Sequence, residues 1–120
     1  MVVTMTDSLA APGGAMVVFT TIPSEDEARR LARHLVESRL AACVQILPPQ
    51  TSIYRWQGTV EESTERLMLI KTTAPLYPSL ERAIRDHHPY EVPEILALPV
   101  LAAAPDYLDW LRGEVADPQG

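Results

Sequence analysis

Apolar and polar residues follow one another along this chain in patterns that predict strands and helices in turn. Residues 16–22 form a nearly continuous apolar and β-branched run, which is typical of a strand covered on both faces. Ser24 and Glu27 have the spacing of a capping box, so a helix should begin there. Residues 40–47 read as a second strand that two prolines end. Apolar residues of the predicted helix recur at helical spacing, namely Ala28, Leu31, Ala32, Leu35 and Val36.

The middle of the chain predicts a long hairpin. Residues 51–56 and 66–73 read as two strands, and the acidic stretch 57–65 reads as the connection between them. Side chains of a strand alternate between the two faces of a sheet, so Tyr54 and Trp56 should share one face.

The last third of the chain predicts a helix, a strand and a second helix. The first helix should cover 75–88, because its first turn tolerates two prolines and Pro89 ends it. Residues 95–101 are apolar enough for a fourth strand, although Pro99 favours a sheet edge or a bulge. Residues 105–115 predict a short terminal helix with one largely apolar side.

The predicted order is βαββαβ with one helix appended. Two split βαβ units with right-handed crossovers give an α+β sandwich of ferredoxin-like architecture, with both main helices on one face of the sheet. The second face is then bare, although it must carry side chains such as Cys43 or Tyr54 and Trp56. Closed symmetric assembly covers such a face, so the sequence predicts a homo-oligomer.

Composition narrows the classes of function. The 120 residues fit one domain at 16–115, between an N-terminal segment at 1–15 and a tail at 116–120 that we expect to be flexible. A net charge of −6, with ten scattered basic residues, argues against a nucleic-acid partner. The sequence contains no recognisable secretory signal or membrane-spanning stretch, and its single cysteine, Cys43, agrees with a reducing compartment. We therefore expect a cytoplasmic protein without a membrane partner.

Five segments follow an order that resembles one known family. They are MVVFTTIPSEDEA, LAACVQILP, SIYRWQGTVEESTERLMLIKT, HHPYEVPEI and DYLDWL, and together they run through residues 16–115. In this order they resemble the CutA family of divalent cation tolerance proteins. The resemblance implies a ferredoxin-like subunit in a compact homotrimer, similar in architecture to the PII signalling proteins, with a role in tolerance of copper (Cu2+) or other heavy metals.

His87 and His88 are the candidate metal ligands, because neutral imidazole suits Cu(II) and Zn(II). Adjacent helical residues project about 100° apart, so the two rings of one chain do not easily chelate one ion, and another subunit would have to supply ligands. Cys43 reads as a small structural residue, because no Cys or His spacing accompanies it. In some relatives that this chain resembles, the first strand ends in a cysteine that joins the histidine pair, and Thr20 stands at that position here. Acidic residues read as solvated more readily than as oxygen ligands, and they are Glu61, Glu62, Glu65, Glu91 and Glu94.

A different class of function is open as well. A PII-like assembly has clefts between its subunits, and small-molecule pockets combine aromatic residues with a few convergent polar groups. Lys71 at the end of an apolar strand would bind an anionic metabolite or merely reach solvent, and Tyr54 and Trp56 suit interface packing equally well. The candidate cleft residues are Tyr54, Trp56, Lys71, His88, Tyr90 and Glu91.

Catalysis is the least supported class. The sequence has no nucleophile elbow, zinc-protease helix, phosphate-binding glycine loop or dinucleotide fingerprint, so we expect no enzyme. An acid–base pair of His88 and Glu91 lacks an identifiable nucleophile. A trimeric scaffold for another protein stays open without a specific sign in its favour. Binding of divalent metal, copper foremost, is the first expectation, and sensing of an anionic metabolite is the alternative.

Overall fold

The computed structural model describes residues 14–117, and it has the predicted α+β order. Residues 1–13 and 118–120, which hold most of the two predicted terminal segments, lie outside this description. No helix within 14–117 is long and apolar enough to cross a membrane. The elements are β1 (Ala15–Ile22), α1 (Glu25–Glu37), β2 (Cys43–Ile46), β3 (Gln50–Trp56), β4 (Thr59–Thr73), a 3-10 turn (Ala74–Leu76), α2 (Tyr77–His87), β5 (Leu96–Pro99) and α3 (Pro105–Glu114).

The strands form one antiparallel sheet in the order β2-β4-β1-β5, and β3 pairs with the outer half of β4. Strand β1 pairs with β4 along its whole length, from Ala15 opposite Thr73 to Ile22 opposite Arg66. The two strands that precede the main helices are therefore neighbours in the centre of the sheet, which is the ferredoxin-like arrangement. The predicted fold class is confirmed.

The hairpin differs from the sequence prediction. The predicted connection 57–65 is wrong, because the turn consists of Gln57 and Gly58 alone, and 59–65 continue β4 opposite β3. Both turn residues have positive φ, 49° and 83°, as a tight type I′ turn requires. The outer part of β4 lies beyond the helices and is solvated, so its acidic composition resembles that of a loop. Strand β4 is thus 15 residues long.

Three other elements are shorter than the sequence predicts. Strand β2 begins at Cys43 and not at residue 40, because the N–H groups of Leu40 and Ala41 donate to the Leu35 carbonyl and close the end of α1. Strand β5 covers four residues and ends at its proline. Helix α2 ends at His87, and the backbone of His88 is extended, with φ −92° and ψ 136°. The residue before a proline disfavours helical ψ, which explains this end.

The core lies between the sheet and the helices α1 and α2. Ser24 caps α1 as predicted, since its hydroxyl accepts a hydrogen bond of 3.2 Å from the Glu27 N–H. Helix α1 buries Ala28, Leu31 and Leu35 of its predicted stripe and leaves Val36 exposed. Helix α2 buries Leu80 and Ile84, and the sheet contributes alternate residues of β1 and β4. The largest fully buried apolar side chains are Val18, Ile22, Leu31, Leu35, Met68, Ile70, Leu80 and Ile84.

The opposite face of the sheet is also apolar, and α1 and α2 do not cover it. By register, Val17, Phe19 and Leu69 point to this face, together with Leu96 and Leu98, which are 58% and 50% exposed. A cluster of apolar side chains on one open face is more than scattered surface residues explain. The bare second face that the sequence predicts is therefore present.

Helix α3 packs against the end of the sheet where Lys71 of β4 lies. Arg39 has a positive φ of 61° where α1 ends, and its guanidinium donates to the carbonyls of Gly113 and Glu114 at 2.8 and 3.1 Å. A cation on the last carbonyls of a helix is favourable, so Arg39 holds the end of α3 in place. Nearby, the Lys71 ammonium donates to the Tyr107 hydroxyl at 3.3 Å.

Candidate functional site

His88 holds the loop between α2 and β5 against the end of β1. Its Nε2 lies 2.6 Å from the Thr21 carbonyl, which can only accept, so Nε2 carries the proton. The Tyr90 N–H donates to the remaining nitrogen, Nδ1, at 3.1 Å. Both ring nitrogens are therefore occupied by backbone groups. In this arrangement His88 has no free lone pair for a metal ion, and its visible role is structural.

His87 is turned the other way and meets a histidine that the sequence reading did not single out. Its Nδ1 donates to the Ala83 carbonyl at 2.9 Å, which leaves the Nε2 lone pair free. The centre of its ring lies 4.5 Å from the ring centre of His34 on α1, with 34° between the planes. Both side chains are exposed. The packing of α1 on α2 creates this pair, and the sequence around His34 contains no motif that predicts the contact with His87.

The other candidate metal ligands do not join the histidines. Cys43 lies opposite Lys71, which in turn lies opposite Val17, so the cysteine is on the open face of the sheet. Thr20 is fully buried on the helix face, where its hydroxyl has no hydrogen-bond partner within the described part of the chain. Position 20 and Cys43 are thus on opposite faces and cannot share an ion. Residues 14–117 contain no group of three or more His, Cys, Asp or Glu side chains that could hold a metal.

A cleft of about 670 Å³ lies between the β3–β4 hairpin and the loop that His88 anchors. It brings together Tyr54, Trp56, Tyr90 and Glu91, which the sequence proposed as cleft residues. Lys71 is not among the lining residues, because it lies six residues further along β4 than Glu65, about 20 Å of extended strand. The lining residues are Thr21, Ser52, Ile53, Tyr54, Trp56, Glu65, Pro89, Tyr90, Glu91, Val92 and Glu94.

The cleft is acidic. Glu65, which is only 7% exposed, accepts a hydrogen bond from the Tyr90 hydroxyl. Loss of water around the phenol, followed by this hydrogen bond and the negative charge of Glu65, raises the pKa of Tyr90 to about 12. Tyr90 is therefore a neutral donor at physiological pH. Among the described residues that line the cleft, three are glutamates and none is Lys, Arg or His.

Comparison with known proteins finds similarity to CutA proteins in both sequence and structure. Residues 16–114 match the family model described as CutA1 divalent ion tolerance protein. The divalent-cation tolerance protein CutA of Thermus thermophilus is 56% identical over 96 residues, which are 80% of this chain and 93% of that protein. The solved structure of a divalent cation tolerance protein (Cut A1) from Thermus thermophilus has a TM-score of 0.83 at 53% identity, covering 85% of this chain and 99% of that one.

Similarity extends to animals. Protein CutA of Mus musculus is 50% identical over 101 residues, which are 84% of this chain and 57% of the mouse protein. The chain therefore spans somewhat more than half the length of the mouse relative.

Proposed function

The chain belongs to the CutA1 family of divalent ion tolerance proteins, and from this premise we propose that it is a homotrimeric, non-enzymatic protein that binds a divalent cation, copper foremost, as its cargo. We assign the ion to His87 with His34 as the second ligand. His88, which the sequence reading paired with His87, acts instead as the anchor of the neighbouring loop. We place the protein in the cytoplasm, in keeping with its single cysteine.

The observation that carries this proposal is the pair of imidazole rings on α1 and α2. A metal–imidazole bond is about 2.0–2.1 Å long and the ring centre lies about 1.1 Å behind the nitrogen, so two rings bound at about 90° have centres about 4.5 Å apart. The distance between the His34 and His87 ring centres is 4.5 Å. Both side chains are exposed, so rotation about their side-chain torsions can direct both Nε2 atoms at one ion.

The second support is the hydrogen bond that orients His87. Metal-binding histidines usually donate their other ring N–H to a carbonyl or carboxylate, which fixes the tautomer and makes the free nitrogen a better ligand. The Ala83 carbonyl has this role for His87 at 2.9 Å. Two imidazoles leave the remaining coordination positions to water, which suits a site that takes up and releases its ion.

Assembly into a trimer is supported by surfaces that one chain leaves uncovered. The apolar open face of the sheet is one of them. The hairpin tip is another, because Ile53 is 66% and Val60 59% exposed on the side that faces away from Tyr54 and Trp56. Closed symmetry covers such surfaces in equivalent copies. Sedimentation velocity at micromolar concentration tests this part, and a stable monomer would contradict it.

Calorimetric titration with Cu(II) tests the ligand assignment. We expect His34→Ala and His87→Ala each to weaken copper binding at least about tenfold, since each removes one of two protein ligands. The matched controls are Cys43→Ser and His88→Gln, which should keep the affinity of the unmodified protein. Unchanged copper affinity in both His34→Ala and His87→Ala would remove the site.

A second candidate function is the binding of a small molecule in the cleft beside the hairpin. The observation in its favour is the cleft itself, which at about 670 Å³ has the size of ordinary ligand pockets and contains three aromatic residues. The sequence reading expected an anionic metabolite held by Lys71. The charge of the lining residues argues for a different ligand.

A further inference from the structure

We propose that the cleft between the β3–β4 hairpin and the loop after α2 binds a small organic cation with an ammonium or quaternary ammonium group. This inference rests on the second candidate function, small-molecule binding in the cleft, and is independent of the metal site. It names the chemical class of the ligand from the charges and ring types that line the cleft.

The sign of the ligand follows from the carboxylates. Glu65, Glu91 and Glu94 line the cleft, and the described lining residues include no basic side chain. An anion would meet three negative charges without a counter-charge, whereas a cation would meet charges of the opposite sign. Glu65 is the most buried of the three, at 7% exposure, and a buried carboxylate interacts with a cation more strongly than an exposed one.

The Glu65 carboxylate can accept further hydrogen bonds besides the one from Tyr90. A carboxylate has two oxygens and about four lone-pair directions, and the Tyr90 hydroxyl uses one of them. The Tyr90 hydroxyl is the donor in this hydrogen bond, which orients the carboxylate and leaves its other lone pairs open. Glu65 therefore remains available to an ammonium group.

The aromatic residues distinguish an organic cation from a metal ion. Tyr54, Trp56 and Tyr90 line the same cleft, and their ring faces attract ammonium groups by the cation–π interaction, for which Trp is the best partner. Aromatic rings do not coordinate divalent metals. The cleft glutamates also form no group of three metal ligands in the described part of the chain. A large, weakly hydrated cation satisfies both the rings and the carboxylates.

The test uses choline as the probe and its neutral isostere, 3,3-dimethyl-1-butanol, as the control. The two molecules have the same shape and differ in the charged nitrogen. The full-length protein carries Trp110→Phe, which leaves Trp56 as the single tryptophan, so quenching of its fluorescence reports on the cleft. Trp110 lies on α3 and does not line the cleft.

We expect choline to bind at least about tenfold more tightly than the isostere. The charged nitrogen gains a desolvated cation–π contact with the aromatic rings and an attraction to the carboxylate, and the isostere gains neither. Glu65→Gln and Trp56→Leu, the latter followed by calorimetry, should each weaken choline binding about tenfold. The matched control is Glu62→Gln, an exposed glutamate on the same strand that points to the other face of the sheet. If Glu65→Gln does not fold, the exposed Glu91→Gln takes its place and should weaken binding in the same direction.

Different failures separate the two ideas. Equal binding of choline and the isostere would overturn the charge inference. Binding of a dicarboxylate such as glutarate in preference to choline would overturn it too, while small-molecule binding in the cleft would stand. If none of the three probes alters the Trp56 fluorescence or gives heat at millimolar concentration, both the cation inference and the second candidate function fail.

Discussion

Replacement of His88 by alanine should cost stability and leave metal affinity unchanged. The side chain ties the loop after α2 to β1, because Nε2 donates to the Thr21 carbonyl of β1 at 2.6 Å and Nδ1 accepts from the Tyr90 N–H of the loop at 3.1 Å. Its ring also contacts the Tyr90 ring, with centres 4.9 Å apart. Alanine removes all three contacts and leaves the Thr21 carbonyl without this partner.

The expected loss is about 2 kcal/mol. Each of the two hydrogen bonds contributes about 0.5–1.5 kcal/mol, and an aromatic pair adds about 0.5–1.5 kcal/mol. We take the lower half of the summed range because the Tyr90 side chain is 36% exposed. The free energy of unfolding is measured by guanidinium titration at one fixed protein concentration, since assembly makes apparent stability depend on concentration.

Two conservative variants separate the contributions at this position. Glutamine carries an amide nitrogen that can replace Nε2 as donor to Thr21, and asparagine carries an oxygen that can replace Nδ1 as acceptor for Tyr90. We expect each variant to recover about half of the lost free energy of unfolding. A loss below about 0.5 kcal/mol in His88→Ala would refute the anchoring role, since that is the scale of ordinary surface substitutions.

Three further predictions follow from the fold and the cleft. Because the folded protein holds the Tyr90 proton up to a pKa of about 12, against about 10 in the unfolded chain, stability should fall as pH rises from 10 to 12, and Tyr90→Phe should remove that part of the fall in thermal melts. Leu80→Ala should cost about 2–5 kcal/mol by leaving a cavity in the core, whereas the exposed Val36→Ala should cost under about 0.5 kcal/mol in the same denaturant titration. Gln57→Asn should stabilise the hairpin by about 0.5 kcal/mol, because asparagine tolerates the φ of 49° better, and a lower denaturation midpoint would contradict this.

Local patterns in the sequence were enough to predict the order of elements. The apolar run at the first strand, the cap at Ser24 and the helical spacing after it all report on neighbours along the chain, and the structure agrees with them. The aromatic residues of the cleft were also recognisable, since strand alternation puts Tyr54 and Trp56 on one face.

Features that depend on contacts between distant elements were not predictable in the same way. His34 and His87 are 53 residues apart, and the crossing of two helices decides their distance. The end of α2 decided the role of His88, because an extended backbone turns its ring to β1 and away from His87. Lys71 shares a strand with Glu65, but the length of β4 keeps it out of the cleft. Only the three-dimensional packing shows which of these residues meet.

Counting the imidazoles bound to Cu(II) by pulsed electron paramagnetic resonance tests the central claim most directly. The copper-loaded protein should show two coordinated imidazoles, and His34→Ala should show one, because the claim assigns the ion to His34 and His87 together. His88→Gln should still show two. An unchanged count in His34→Ala, or a lower count in His88→Gln, would contradict the assignment.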